Sequence, residues 1–175
     1  MSAAVVALAL CAGSGAQAAE RTFFGEFEAI CLSNLQDPTA WPKAAQQRGY
    51  VQSPDDPGIL HLDDADRRFV FLGEHEDSPP HISPPVRVSF CTLGLQGAPV
   101  AAVNKAIGEW ASLPAIETSK TVEYRFRLEA GRRIPVDDSP GARAAALKLG
   151  PVYSVEVRTR DDLLIAEVER MTLRR

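Results

Sequence analysis

The chain has 175 residues, 45% of them hydrophobic, and a formal net charge of −4 at neutral pH. That length suits one domain able to bury about two thirds of the surface of its unfolded chain, and is short for two. An isoelectric point near 5.4 argues against nucleic acid as the partner, because phosphate binding needs a basic face.

Residues 3–12, AAVVALALCA, form an uninterrupted apolar run. The run is about half of the roughly 20 residues that span a bilayer as a helix, so no transmembrane segment is expected. It fits the apolar region of a secretory signal, and Ala16-Gln17-Ala18 supplies the small-x-small pattern read by signal peptidase. Cleavage after Ala18 would leave residues 19–175 as one mature domain. No basic residue precedes the apolar run, and acylation at Cys11 or a buried N-terminal helix are the competing readings. Removing the signal also removes Cys11 and leaves Cys31 and Cys91, an even pair that reads as a disulfide in an oxidising compartment. The expected location is periplasmic or secreted.

Phe23, Phe27, Ile30, Cys31 and Leu35 recur at intervals of three and four, which predicts one face of a helix. DPTAWPKAAQQRGY predicts a shorter second helix, with Asp37 or Thr39 as cap, Pro38 and Pro42 in the first turn and Gly49 as the stop. After the turn SPDDPG, residues 59–62 (ILHL) and 67–72 (RRFVFL) predict two strands joined by the acidic turn DDAD. GEHEDSPPHISPP, residues 73–85, carries four prolines and predicts a stiffened loop. The pattern then turns to period two, with Val86, Val88 and Phe90 on one side and Arg87, Ser89 and Cys91 on the other. A Cys31–Cys91 bond would therefore pin the first helix to the sheet face opposite Val88. Closing a loop of about sixty residues stabilises by about 4 kcal/mol. Two free buried thiols or a redox pair are the alternatives, but no C-x-x-C motif or basic cluster stands nearby.

The second half offers a similar order. GAPVAAVNKAIGEWASL places Val100, Val103, Ile107 and Trp110 on one helical face, and Trp41 and Trp110 are both expected in the core. TVEYRFRLE alternates Val122, Tyr124, Phe126 and Leu128 against Glu123, Arg125, Arg127 and Glu129, as a half-exposed antiparallel strand does. DDSPGARAAALKLG predicts a short helix opening at Ser139 and Pro140. The stretch from Pro151 to Arg170 predicts a hairpin with Tyr153, Val155 and Val157 inward, joined by Leu164, Ala166 and Val168. The expected class is α+β, an antiparallel β-sheet with helices packed on it, in an order compatible with two α-β-β-β halves. Strand order is not fixed by these patterns.

Candidate chemistry is sparse. His75, Glu76, Asp77 and His81 share the loop over 73–85 and make it the candidate binding loop. Imidazole and carboxylate suit zinc, but His-x5-His on such a loop matches no metal motif, and a solvated acidic loop is the plainer reading. Near His61, the aspartates of HLDDADRR lack the glycine and closing glutamate of a calcium loop. No G-x-S-x-G, no glycine-rich phosphate loop and no distinguished carboxylate pair occur, so no catalytic residue, metal ligand set or cofactor is assigned. Glu123, Arg125, Arg127, Glu129, Glu156, Arg158, Glu167 and Glu169 would share a charged sheet face. Such a face is either solvated, with weak ion pairs, or a protein-binding surface.

Phe27 and Cys31 in F-x-x-x-C spacing, then Gly49-Tyr50, then Cys91 on a strand, resemble small exported single-disulfide proteins of Gram-negative bacteria with no assigned activity. The likeness extends as far as Cys91, implies a periplasmic or secreted location and carries over no catalytic residue. The functional expectation is an exported, non-catalytic binding domain whose partner is an envelope or extracellular protein, with the 73–85 loop inserting as an inhibitor's loop does. The alternative is a metal-dependent hydrolase using that loop. Oligomeric state is not indicated.

Overall fold

Thr22 opens the first helix. Its Oγ1 accepts from the Gly25 N–H at 3.0 Å, and α1 (Phe23–Ile30) follows with Phe23, Phe27 and Ile30 buried. Cys31 caps this helix at its C-terminal end, and the Asn34 side chain turns back to donate to the Ile30 carbonyl at 3.0 Å. Asp37 caps a single 3-10 turn, Pro38–Ala40, that runs straight into α2 (Trp41–Gln47). Gly49, at φ +90°, then reverses the chain where a side chain would be strained. Fully buried Glu26 of α1 is met by Arg48 Nη2 at 2.7 Å, which ties the two helices together.

The computed structural model describes residues 22–62, 68–79 and 82–174. The expected signal segment 1–18 with its Cys11, the whole acidic turn DDAD with Arg67 after it, and His81 lie outside the described residues. Within these residues the strands are β1 (Val51–Gln52), β2 (Ile59–His61), β3 (Phe69–Asp77) and β4 (Val86–Gln96). Then come α3 (Val100–Ala111), β5 (Ile116–Glu117), β6 (Thr121–Glu129), β7 (Arg132–Pro135), α4 (Pro140–Leu149), β8 (Val152–Arg160) and β9 (Leu163–Leu173). All pairings are antiparallel, in the order β1-β2-β3-β4-β9-β8-β6-β5, with β7 also paired to β6. The fold is α+β, as the alternating patterns predicted.

Period two divides the sheet into two faces. On one face Leu93 and Cys91 of β4, Ala166 and Val168 of β9, Val155 and Val157 of β8, and Tyr124 and Phe126 of β6 form the main core. Helices α1, α2 and α3 cover it with Phe27, Ile30, Trp41 and Ile107, each such aliphatic or aromatic side chain contributing about 1.5–3 kcal/mol by its burial. The Cys31–Cys91 disulfide joins α1's end to the central strand at a Cα separation of 5.7 Å. Val88, of opposite parity, faces the other way. There α4, capped by Ser139 Oγ, packs Ala146 and Leu147 against Val86, Val88, Val152 and Met171 in a second, smaller core.

Three expectations need correction. The loop over 73–85 begins only after Asp77, because β3 keeps antiparallel register with β4 along its whole length, from Gly94 opposite Phe69 to Val86 opposite Asp77, with alternate residues exchanging ladder hydrogen bonds. Gly73 is not a breaker there: a Cβ would collide with the Phe90 ring that lies over it. Trp110 is half-buried rather than core, with the Arg133 guanidinium 3.8 Å from its ring centroid; Val103, Ile107 and Ala111 form α3's buried stripe. Short β1, β5 and β7 were not foreseen; β7 returns along β6 through Ala130 and Gly131, both at positive φ, as a tight hairpin requires. Among the described residues no helix is long and apolar enough to cross a membrane.

Candidate functional site

The charged face foreseen in the sequence exists, on the side of the sheet that α1–α3 leave free. Glu156 of β8 stands directly opposite both Glu123 of β6 and Glu167 of β9, so three carboxylates lie in one row across three strands. Like charges in direct cross-strand register repel. Hydrogen bonds hold all three: Glu123 Oε1 accepts from Arg125 Nη2 at 2.5 Å and from Ser154 Oγ at 2.6 Å, Glu156 Oε1 accepts from Arg158 Nη1, and Glu167 Oε2 accepts from Thr92 Oγ1 at 2.6 Å. Arg158 Nη1 lies 2.9 Å from Glu156 and 3.4 Å from Glu167, and Arg125, its side chain only 6% exposed, also reaches Asp138 at 2.5 Å. Arg127 and Glu129 pair with each other at the end of β6.

Glu169 differs from its neighbours. It stands opposite Phe90 of β4 and Ser154 of β8, with no hydrogen-bond or ion-pair partner among the described residues. Burial, then the Glu167 charge, push its carboxyl above the ordinary glutamate range, with His75 opposing. His75 is on the same face, its ring 5.9 Å from Phe90. Of the proposed loop residues, then, His75 joins this face and Asp77 lies at its far end. Glu76 points to the other side and pairs with Arg174 at 2.8 Å.

The Glu169 shift has a testable sign. A carboxyl whose folded pKa is raised binds more protons in the folded than in the unfolded chain, so its stabilising contribution is lost as pH rises through the folded value. Glu169→Gln is therefore expected to raise Tm at pH 7.5 and to leave it unchanged below about pH 4, where the glutamate is protonated in both states. Calorimetry at the two pH values checks this; an equal Tm difference at both would contradict it.

The opposite side of the sheet carries a cleft that the sequence analysis missed. Helices α1 and α2 stop short of one end of their face, leaving a floor of Glu74, Arg87, Ser89, Arg170 and Thr172. The Pro38–Thr39 turn, Pro84 and the Leu147–Pro151 segment wall a space of about 1060 Å³. A second space of about 410 Å³ continues past Trp41 and Leu60 and shares Pro38, Thr39, Glu74 and Ser89 with it. Arg87, Lys148, Arg170 and Arg174 line the larger space against Glu74 alone, in a chain whose net charge is −4. Arg87 is 3.4 Å from Glu74, whereas Arg170 has no carboxylate partner among the described residues, and its Nε is buried without an acceptor. One signal was available: Arg87 and Ser89 of β4, and Arg170 and Thr172 of β9, continue core-facing stripes that turn polar at the same end of both strands.

No group of three or more His, Cys, Asp or Glu side chains among the described residues is arranged to hold a metal ion. Comparison with known proteins identifies no matching family model, no similar curated protein and no similar solved structure.

Proposed function

We propose that this chain is an exported binding domain that receives a basic segment of an envelope or extracellular partner protein on its acidic sheet face. The apolar run ending at Ala16-Gln17-Ala18, the pairing of the two remaining cysteines and the resemblance to small exported single-disulfide proteins support the export. The observation that carries the binding surface is the row Glu123–Glu156–Glu167, with desolvated Glu169 beside it. Such an arrangement costs stability in the free domain, and lysine or arginine side chains from a partner offset that cost on binding. Phe71 and Phe90, with ring centroids 5.1 Å apart at the margin of the face, offer aromatic surface for the stems of those side chains. The recurrence of helix followed by β2-β3-β4, then helix followed by β6, β8 and β9, supports a doubled α-β-β-β arrangement, its third strands meeting at the β4–β9 centre.

Fluorescence anisotropy of a labelled nona-lysine peptide tests the reading. Wild-type protein is expected to bind it saturably at low salt and more weakly as salt rises, and not to bind nona-glutamate. Glu156→Gln combined with Glu167→Gln should weaken nona-lysine binding at least about tenfold, or about 1.4 kcal/mol. Unchanged affinity in that double variant would refute the proposal.

A further inference from the structure

The geometry points to a second, independent binding site: the cleft beside Arg170 takes an amphiphilic anion, its phosphate or carboxylate head on Arg170 and Arg87 and its apolar body along exposed Leu149, Pro84 and Pro151. Four features converge. Arg170 is a guanidinium whose buried Nε has no acceptor among the described residues, a state that is unfavourable unless a ligand oxygen or water supplies one. It cannot be neutralised by its chain neighbour, because the pleat sends Glu169 to the opposite face of the sheet. Ser89, Thr172 and Thr39 place hydroxyls on the same cleft, the mix of donors that surrounds anionic oxygens. The walls carry apolar surface from Pro38, Pro84 and Pro151, with Leu149 72% exposed at the rim although it is a large aliphatic side chain.

Size narrows the ligand class. A space of about 1060 Å³ is far larger than a single phosphate needs and lies at the upper end of small-molecule sites, which run to about 1,000 Å³. A bare inorganic anion would leave the apolar wall uncovered; an uncharged lipid would leave Arg170 without an acceptor. One molecule carrying both a charged head and an apolar body satisfies both.

Titration calorimetry with decyl phosphate, kept below its micellar concentration, tests the site on the folded, disulfide-bonded domain. The expected result is saturable binding at one site per chain, at least about tenfold tighter than decyltrimethylammonium or inorganic phosphate. Arg170→Gln should lose at least about tenfold in affinity, a change of about 1.4 kcal/mol, without lowering Tm. Leu149→Ser, at an exposed position that folding does not need, should weaken decyl phosphate and leave inorganic phosphate unaffected. Decanoate binding within threefold of decyl phosphate would identify the shared anionic head as the recognised group, and selective binding of one identifies which head it is. Equal binding of decyl phosphate and decyltrimethylammonium, or of decyl phosphate and inorganic phosphate, overturns the inference. So does unaltered affinity in Arg170→Gln. Nona-lysine binding, on the other face, should be the same in Arg170→Gln as in wild type, so failure of either site leaves the other open to its own test.

Discussion

Replacing Cys31 and Cys91 together with alanine is expected to destabilise the domain by about 4 kcal/mol, the loop-closure value for a separation of 60 residues. The enclosed segment holds α2, β1, β2, β3 and the first half of β4, so the unfolded chain gains the freedom of a third of the protein when the bond is removed. Both cysteines are fully buried in the main core, and losing their sulfur atoms adds a small packing cost. Against a total stability of about 5–15 kcal/mol, a loss of this size leaves a marginal domain. Urea unfolding of oxidised wild type, reduced wild type and the double variant measures it. Reduced wild type and the double alanine variant should both unfold at much lower urea than the oxidised protein. Coincident curves for oxidised and reduced protein would show that the bond contributes nothing.

The disulfide was legible in the sequence because two periodicities met at it. Spacings of three and four placed Cys31 with Phe27 and Ile30, and spacing of two placed Cys91 opposite in parity to Val88. Both parities hold in the fold, Cys91 under α1 and Val88 under α4. The hairpin of β8 and β9 was equally legible, since Val155, Val157, Ala166 and Val168 alternate without a fault. GEHED misled because its composition is that of a loop, yet β3 runs in continuous register with β4 over all nine of its residues, and Arg87 and Arg174 answer Glu74 and Glu76. Tertiary pairing overrode local preference there. The register that stacks Glu156 between Glu123 and Glu167 was not accessible, because alternation gives the face of a residue but not its neighbour on the next strand. The cleft was least accessible of all: its lining runs from Pro38 to Arg174, and only the assembled strand order brings Arg87 beside Arg170.

One sheet therefore carries opposite charge on its two faces. Successive residues of β9 show how. Glu169 faces the carboxylate row and Arg170 the cleft, and neither has an ion-pair partner among the described residues. In a solvated surface the two would sit on flexible side chains and pair with whatever was near. Here the pleat separates them by the thickness of the backbone, and their neighbours are committed elsewhere: Arg158 to Glu156 and Glu167, Arg125 to Glu123 and Asp138, Arg174 to Glu76. Ligands of opposite sign on opposite faces are the arrangement this separation favours.

Trp41→Ala is expected to cost about 3–5 kcal/mol, the range for removing a large aromatic side chain from a core. Trp41 is 2% exposed, and its Nε1 donates to the Cys31 carbonyl at 3.1 Å, so one ring joins α2 to the disulfide and satisfies a carbonyl at the end of α1. Trp41→Phe keeps most of the apolar area and loses that hydrogen bond together with the volume of one ring, with an expected cost of about 1–2 kcal/mol. The ratio of the two costs separates packing from hydrogen bonding, and chemical denaturation of the three proteins measures it. The ring also follows directly on the Pro38–Ala40 turn that walls the cleft. Trp41→Ala, assayed where it is still folded, should therefore bind decyl phosphate more weakly than Trp41→Phe does, while nona-lysine affinity stays the same in both. Equal loss of both ligands would mean that the substitution disturbs the whole sheet rather than the cleft wall, and equal retention of both would mean that the wall is held by other contacts.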